Sequence, residues 1–251
     1  MSGHSKWSTI KHKKAATDAR RGQLFTRLAR EITIAARDGG GNPEANFSLR
    51  LAIDKARAAN MPKENIERAI KRGTGELKGE ELFEVMYEGY APNGVALLIH
   101  ALTDNKNRTI AEIRRVLTRM GGTLADAGAV AWQFERKGYI AIVPDGADPD
   151  RVFEIAVEAG ADDVIISDNL IEVYASLENF QNVRQALEKA GVQFETAELA
   201  MVPKTTVQLG EKETLQVMGV IDALEELDDT QQVYSNLEIS DEIMSKYEGA
   251  A

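Results

Sequence analysis

The chain is 251 residues long, 43% apolar and 28% charged, a balance typical of folded proteins and enough length for one to three domains with a real core. It has no cysteine, which excludes disulfides and thiolate metal sites, and no apolar run nears the ~20 residues of a membrane-spanning helix. The net charge of −10 is uneven: residues 1–78 hold 17 Lys/Arg against 8 Asp/Glu, and residues 79–251 hold 13 against 32.

A basic end on an acidic body predicts separate jobs for the two, because the body repels a polyanion except where the basic end faces it. The first thirty residues concentrate the asymmetry. Lys6, Lys11, Lys13, Lys14, Arg20, Arg21, Arg27 and Arg30 stand against one acid, Asp18. Each phosphate that such a cation neutralises releases condensed counterions, which drives binding to nucleic acid whatever its sequence. Trp7 offers a face for stacking on an unpaired base, and His4 and His12 add donors near neutral pH. The competing reading is a solvated basic tail; Trp7 argues for docking, since disordered segments are poor in aromatics.

From Asp18 to Asp38 the apolar residues Leu24, Leu28, Ile32 and Ala35, widened by Phe25 and Ala29, recur at helical spacing, and Gly39-Gly40-Gly41 ends the run. Asn42-Pro43 predicts the start of a second helix reaching about Asn60, with Leu49, Ile53 and Ala56 inward. Met61-Pro62 opens a third, which buries Ile66, Ala69 and Ile70 and shows Arg68, Lys71 and Arg72 on one exposed side. Gly73-Thr74-Gly75 is the expected hinge.

Strands follow. Residues 82–90 and 95–103 flank a Pro92-Asn93-Gly94 turn, as in a hairpin. A polar connection, 104–109, leads to a helix with Ile110, Ile113, Leu117 and Met120 on one face, and then to a strand at 130–134. Residues 137–200 spell βαββαβ, the ferredoxin-like order, with strands at 139–143, 163–167, 170–175 and 192–198. A strand at 202–209, a helix through Val217 and Leu224, and a strand at 232–236 complete the sheet begun at residue 82. The expected fold is α+β in three domains: a basic helical domain with an N-terminal arm (1–76), a split α/β domain (77–136 plus 201–251) and an inserted ferredoxin-like domain (137–200).

No catalytic pattern emerges. The glycine clusters lack the strand-to-helix context of a phosphate loop, and the three histidines, His4, His12 and His100, have no metal spacing. The acids Asp222, Glu225, Glu226, Asp228 and Asp229 suit a hard cation chemically but read better as a solvated helix face, so neither metal nor cofactor is assigned. Asn105, Lys106, Asn107 and Arg108 stand where a strand meets a helix N-terminus, a candidate second site for an anion or partner, against the simpler reading of a capped polar loop. Arg115 and Arg119 read as a solvated face. The strand Tyr139-Ile140-Ala141-Ile142-Val143 lacks the aromatic and basic signature of RNA-binding sheets, so the acidic insert is suited to protein contact.

The run GHSKWSTIKHKKAATDARRGQLFTRLAREITIAARDGG (3–40), with NMPKENIERAIKRGTGE (60–76), YEGYAPNGVALLIHALTDNKNRT (87–109), GAVAWQFERKG (128–138) and LDDTQQVYSNLEI (227–239), resembles the YebC/PmpR family. Its departures, Gln23, Ala91 and the 124–127 turn, touch no proposed contact. The resemblance implies three domains and a role in gene expression: members are described as DNA-binding transcriptional regulators, and the mitochondrial branch activates translation of cytochrome c oxidase. Beginning at Gly3, it implies a bacterial cytoplasmic protein with no discarded leader.

The expected function is a non-enzymatic regulator that binds nucleic acid through its basic end. With no evident helix-turn-helix spacing or coiled-coil seam, the reading favours ribosomal or other RNA, with DNA the runner-up. A protein-interaction scaffold working through the acidic body comes next, and an enzyme last.

Overall fold

A computed structural model describes residues 18–79, 81–144, 147–240, 242–244 and 246, with side chains described from residue 22 onward. Three helices come first, α1 (Asp18–Gly39), α2 (Phe47–Ala58) and α3 (Lys63–Gly73), around a core of Leu28, Ile32, Leu49, Ile53, Met61 and Ile66. α2 starts later than Asn42-Pro43 predicts. Asn42 Oδ1 accepts from the Glu44 N–H (3.0 Å) and shapes a turn, and Asn46 is the cap, its Oδ1 accepting from the Leu49 N–H at 3.1 Å. The Asn46 amide also donates to the Ala35 carbonyl (2.7 Å) and the Gly40 carbonyl (2.8 Å), so one buried side chain starts α2 and satisfies carbonyls at the end of α1.

β1 (Phe83–Tyr90) and β2 (Ala96–Thr103) form the expected hairpin, with Asn93 at φ 64° in its turn. α4 (Lys106–Arg119) begins inside the stretch read as a polar connection, because Asn105 Oδ1 caps it by accepting from the Arg108 N–H at 3.1 Å. Its buried side is Thr109, Ile113, Val116 and Leu117; Ile110 and Met120 are only partly covered. β3 (Thr123–Ala125), too short to show a period, pairs with β1.

No strand occupies 130–133, where Ala131–Gln133 forms a 3-10 turn into β4 (Phe134–Ile142). Next come α5 (Pro149–Glu158), β5 (Asp163–Ile166), β6 (Ile171–Ala175), α6 (Phe180–Lys189) and β7 (Thr196–Pro203). β8 (Val207–Gln208), α7 (Glu211–Glu225), β9 (Thr230–Ser235) and β10 (Leu237–Glu238) close the order. β4 and β7 are two long strands, antiparallel from Phe134↔Pro203 to Ala141↔Thr196, where the sequence suggested four short ones. Glu135, Arg136 and Lys137 hide the continuity, since their pairing uses backbone groups and no apolar alternation marks it. Gly138 sits mid-strand because a Cβ there would lie 2.2 Å from the Phe180 ring.

The strands make a sheet in the order β3-β1-β2-β9, a second in the order β5-β6-β4-β7, and a parallel pair β8-β10. β9 returns the chain to the sheet begun at Phe83, as expected, whereas the strand expected at 202–209 does not join it. One compact unit comprises the described parts of Ala15–Ala131 and Leu209–Ser235; the other comprises those of Trp132–Gln208 and Asn236–Ala251. The three helices therefore share a unit with the β3-β1-β2-β9 sheet, and residues 73–75 lie within it. A Cβ on Gly73 would come within 2.4 Å of the Thr33 carbonyl, so this glycine is a close-packing position of α3 on α1 instead of the expected hinge. Among the described residues, no helix is long and apolar enough to cross a membrane.

Candidate nucleic-acid interface

Lys6, Trp7, Lys11, His12, Lys13 and Lys14 lie outside the described residues; Arg20 and Arg21 belong to α1, but their side chains are not described. The remaining predicted cations separate into two kinds. Arg27 and Arg30 on α1 are half-buried and held by the protein's own acceptors. Arg27 Nη2 donates to the carbonyls of Glu225 and Leu227 at the end of α7. Burial lowers its pKa, with Glu225 and Asp228 opposing. Arg30 Nη1 donates to the Leu102 carbonyl (3.2 Å), the Asp228 carbonyl (2.9 Å) and Asp229 Oδ1 (3.0 Å). Both guanidinium groups, read from the sequence as nucleic-acid contacts, donate to the protein's own carbonyls, and Arg30 also to the Asp229 carboxylate.

Asp229 is the centre of this arrangement. Its side chain is 2% exposed, and its Oδ2 accepts from Arg108 Nη2 (2.7 Å), Thr109 Oγ1 (2.7 Å) and Thr103 Oγ1 (3.0 Å). Burial alone would raise its pKa; the hydrogen bonds from Arg108, Thr109 and Thr103 and the Arg108 charge outweigh that and lower it. Asp229 and Asp104 in turn raise the Arg108 pKa. The anion at the first turn of α4 is therefore the protein's own carboxylate. Within the candidate anion or partner site at 105–108, Asn105 caps the helix, Arg108 is paired twice, and Lys106 lies over the Phe83 ring at 4.4 Å. Asn107 is exposed. Nothing in the sequence singles Asp229 out from the acidic run around it.

Arg68, Lys71 and Arg72 on α3 are the second kind. All three are exposed, and none of their side chains makes a hydrogen bond or ion pair with a described residue. Elsewhere in these helices Lys55 reaches Glu31, Arg57 reaches Asp54, Lys63 reaches Glu67, and Arg50 is tied to the Pro43 and Glu44 carbonyls. α3 places its cations by its helical period: Ile66 and Ala69 face the core, which sends positions 68, 71 and 72 outward. Arg68 and Arg72 line a groove of about 620 Å³ together with Arg30, with Phe25, Ala29, Met61 and Leu82 among its apolar walls. Lys78, exposed and likewise without such a partner, extends the set beyond the sequence reading.

Glu88 is a further residue that sequence reasoning missed. Its carboxylate accepts from the backbone N–H groups of Gly128 (2.6 Å), Val130 (2.7 Å) and Ala131 (2.9 Å). Burial pushes its pKa up, the three backbone donors pull harder, and the net shift is downward. One β1 side chain thus fixes the loop that follows β3, with no side-chain partner to betray it in sequence.

A family model described as "TACO1/YebC second and third domain" matches residues 82–237, and another, "TACO1/YebC protein N-terminal domain", matches residues 5–76. The chain belongs to the YebC/PmpR family. A relative from Persephonella marina, named a probable transcriptional regulatory protein, is 53% identical over 248 residues, covering 98% of this chain and 99% of its own. One of that name from Acidithiobacillus ferrooxidans is 53% identical over 251 residues and the whole of both chains. The crystal structure of the conserved hypothetical protein Aq1575 from Aquifex aeolicus is similar at a TM-score of 0.85 and 50% identity, covering 92% of this YebC-family chain and 96% of its own. The two matched ranges meet between residues 76 and 82, inside one compact unit.

Proposed function

We propose that this protein is a non-enzymatic regulator of gene expression that binds nucleic acid through the α3 cations together with the basic arm. The observation that carries the reading is the exposed set Arg68, Lys71 and Arg72, whose side chains lack partners among the described residues while Lys55, Arg57, Lys63 and Arg50 of the same helices are matched with the protein's own acceptors. Exposed cations without counterions gain most from phosphate, whose own counterions they displace. The names of the relatives agree with a role in regulation.

RNA, including ribosomal RNA, is the first target of this reading. α3 carries exposed Glu64 and Glu67 in its N-terminal half, the part that a recognition helix uses in the major groove of DNA, and acids there repel a duplex backbone. The observation that favours DNA is the four-residue connection between α2 and α3, which allows a helix-turn-helix. The strand order β5-β6-β4-β7 with its two intervening helices supports reading 137–200 as a ferredoxin-like insertion.

Fluorescence anisotropy with an RNA hairpin and a DNA duplex of equal length, each at low and moderate salt, tests the proposal. The expected result is tighter binding to RNA, weakening steeply with salt. Binding to neither probe, or binding insensitive to salt, contradicts it.

A further inference from the structure

A second cationic surface lies outside the basic end. Ala111, Arg114, Arg115, Thr118 and Arg119 form one shallow depression on the outer face of α4, and the three arginines are exposed. None of their side chains has a hydrogen bond or ion pair with a described residue. They stand in the acidic part of the chain, where residues 79–251 hold 32 Asp/Glu, yet no described carboxylate meets them. Arg115 and Arg119, four positions apart on one helix, repel each other and oppose its formation. The helix C-terminus offsets that for Arg119 and leaves Arg114 and Arg115 without an internal reason.

We infer that the α4 face formed by Arg114, Arg115 and Arg119 is a second phosphate-binding surface, which takes the backbone of the same nucleic acid as α3. The inference rests on the nucleic-acid reading above and adds a site to it. Three guanidinium forks, with no lysine among them, suit the paired oxygens of phosphodiesters. The residues between them are small, Ala111 and Thr118, and no large apolar side chain on α4 is prominently exposed. A protein partner would need such an anchor; a sugar–phosphate backbone needs only charge and donors. Because α3 and α4 belong to one compact unit, engagement of one surface raises the effective concentration of the ligand at the other.

The test compares the full-length wild type with R114A/R115A/R119A and R114K/R115K/R119K, using an RNA hairpin and polyglutamate as probes, with circular dichroism to confirm the fold. The alanine variant is expected to fold normally, to bind RNA about tenfold or more weakly at low salt, and to lose about 2 units of salt slope, at ~0.7 to 0.9 per phosphate contact. The lysine variant should recover part of the affinity. Wild-type RNA binding that is unchanged in affinity and slope by the alanine variant overturns the α4 site while leaving the proposed function intact. No wild-type binding to nucleic acid overturns both. Retention on polyglutamate as tight as on RNA, and lost in the alanine variant, overturns the phosphate assignment in favour of an acidic protein.

Discussion

Arg30 Nη1 and Asp229 Oδ1 lie 3.0 Å apart although 199 positions separate them in the chain. The pair joins α1 to the segment between α7 and β9, and Arg108 and two threonines join the same carboxylate to β2 and α4. A cation placed for a ligand would stand open to water. Arg30 is instead satisfied by the fold, so its loss should be read in stability.

Asp229→Asn should lower the unfolding free energy by about 2 to 3 kcal/mol, the scale of losing charged hydrogen bonds at a buried site. Urea denaturation at neutral pH measures it. A change under 0.5 kcal/mol contradicts the assignment.

Acid should weaken the fold through the same group. The folded pKa values of Asp229 and Glu88 lie below their ordinary values of 3.8 and 4.5, so the unfolded chain takes up protons first as pH falls. Their stabilisation is complete above those ordinary values and is lost as pH drops through the lowered ones. Urea midpoints from pH 7 down to pH 3 should fall, and Asp229→Asn should fall less steeply; parallel curves contradict the linkage.

Glu88→Gln removes the charge that gathers three backbone donors, and its amide nitrogen can no longer accept from them. The expected loss is about 1 to 3 kcal/mol, with faster hydrogen exchange at Gly128, Val130 and Ala131. Unchanged exchange at those amides contradicts the role given to Glu88.

Gly138→Ala drives a methyl into the Phe180 ring, and overpacking of this kind costs about 1 to 3 kcal/mol. A second substitution, Phe180→Leu, should recover part of that loss in a double-mutant cycle. Additive losses show that the two positions do not meet.

Much of this was legible in the chain because periodicity survives wherever one face is buried. The α1 stripe of Leu24, Leu28 and Ile32, the hairpin around Asn93-Gly94, and the outward set Arg68, Lys71 and Arg72 all follow from spacing. Long-range pairing was not legible. Arg27 and Arg30 have the same composition and helical setting as free cations, and only the return of residues 225–229 beside them decides their role. β4 was hidden by Glu135, Arg136 and Lys137, and the start of α2 by two asparagines, of which Asn42 makes a turn and Asn46 the cap.

The account depends on a distinction between cations of one helical region: Arg27 and Arg30 on α1 bind the protein, whereas those on α3 are proposed to bind phosphate. Salt-dependent binding of an RNA hairpin by R68A/K71A/R72A, with its melting curve, tests this most directly. The predicted result is a wild-type melting temperature with binding weakened across sequences and a salt slope smaller by about 2 to 3 units. Wild-type affinity and slope in that variant would contradict the account.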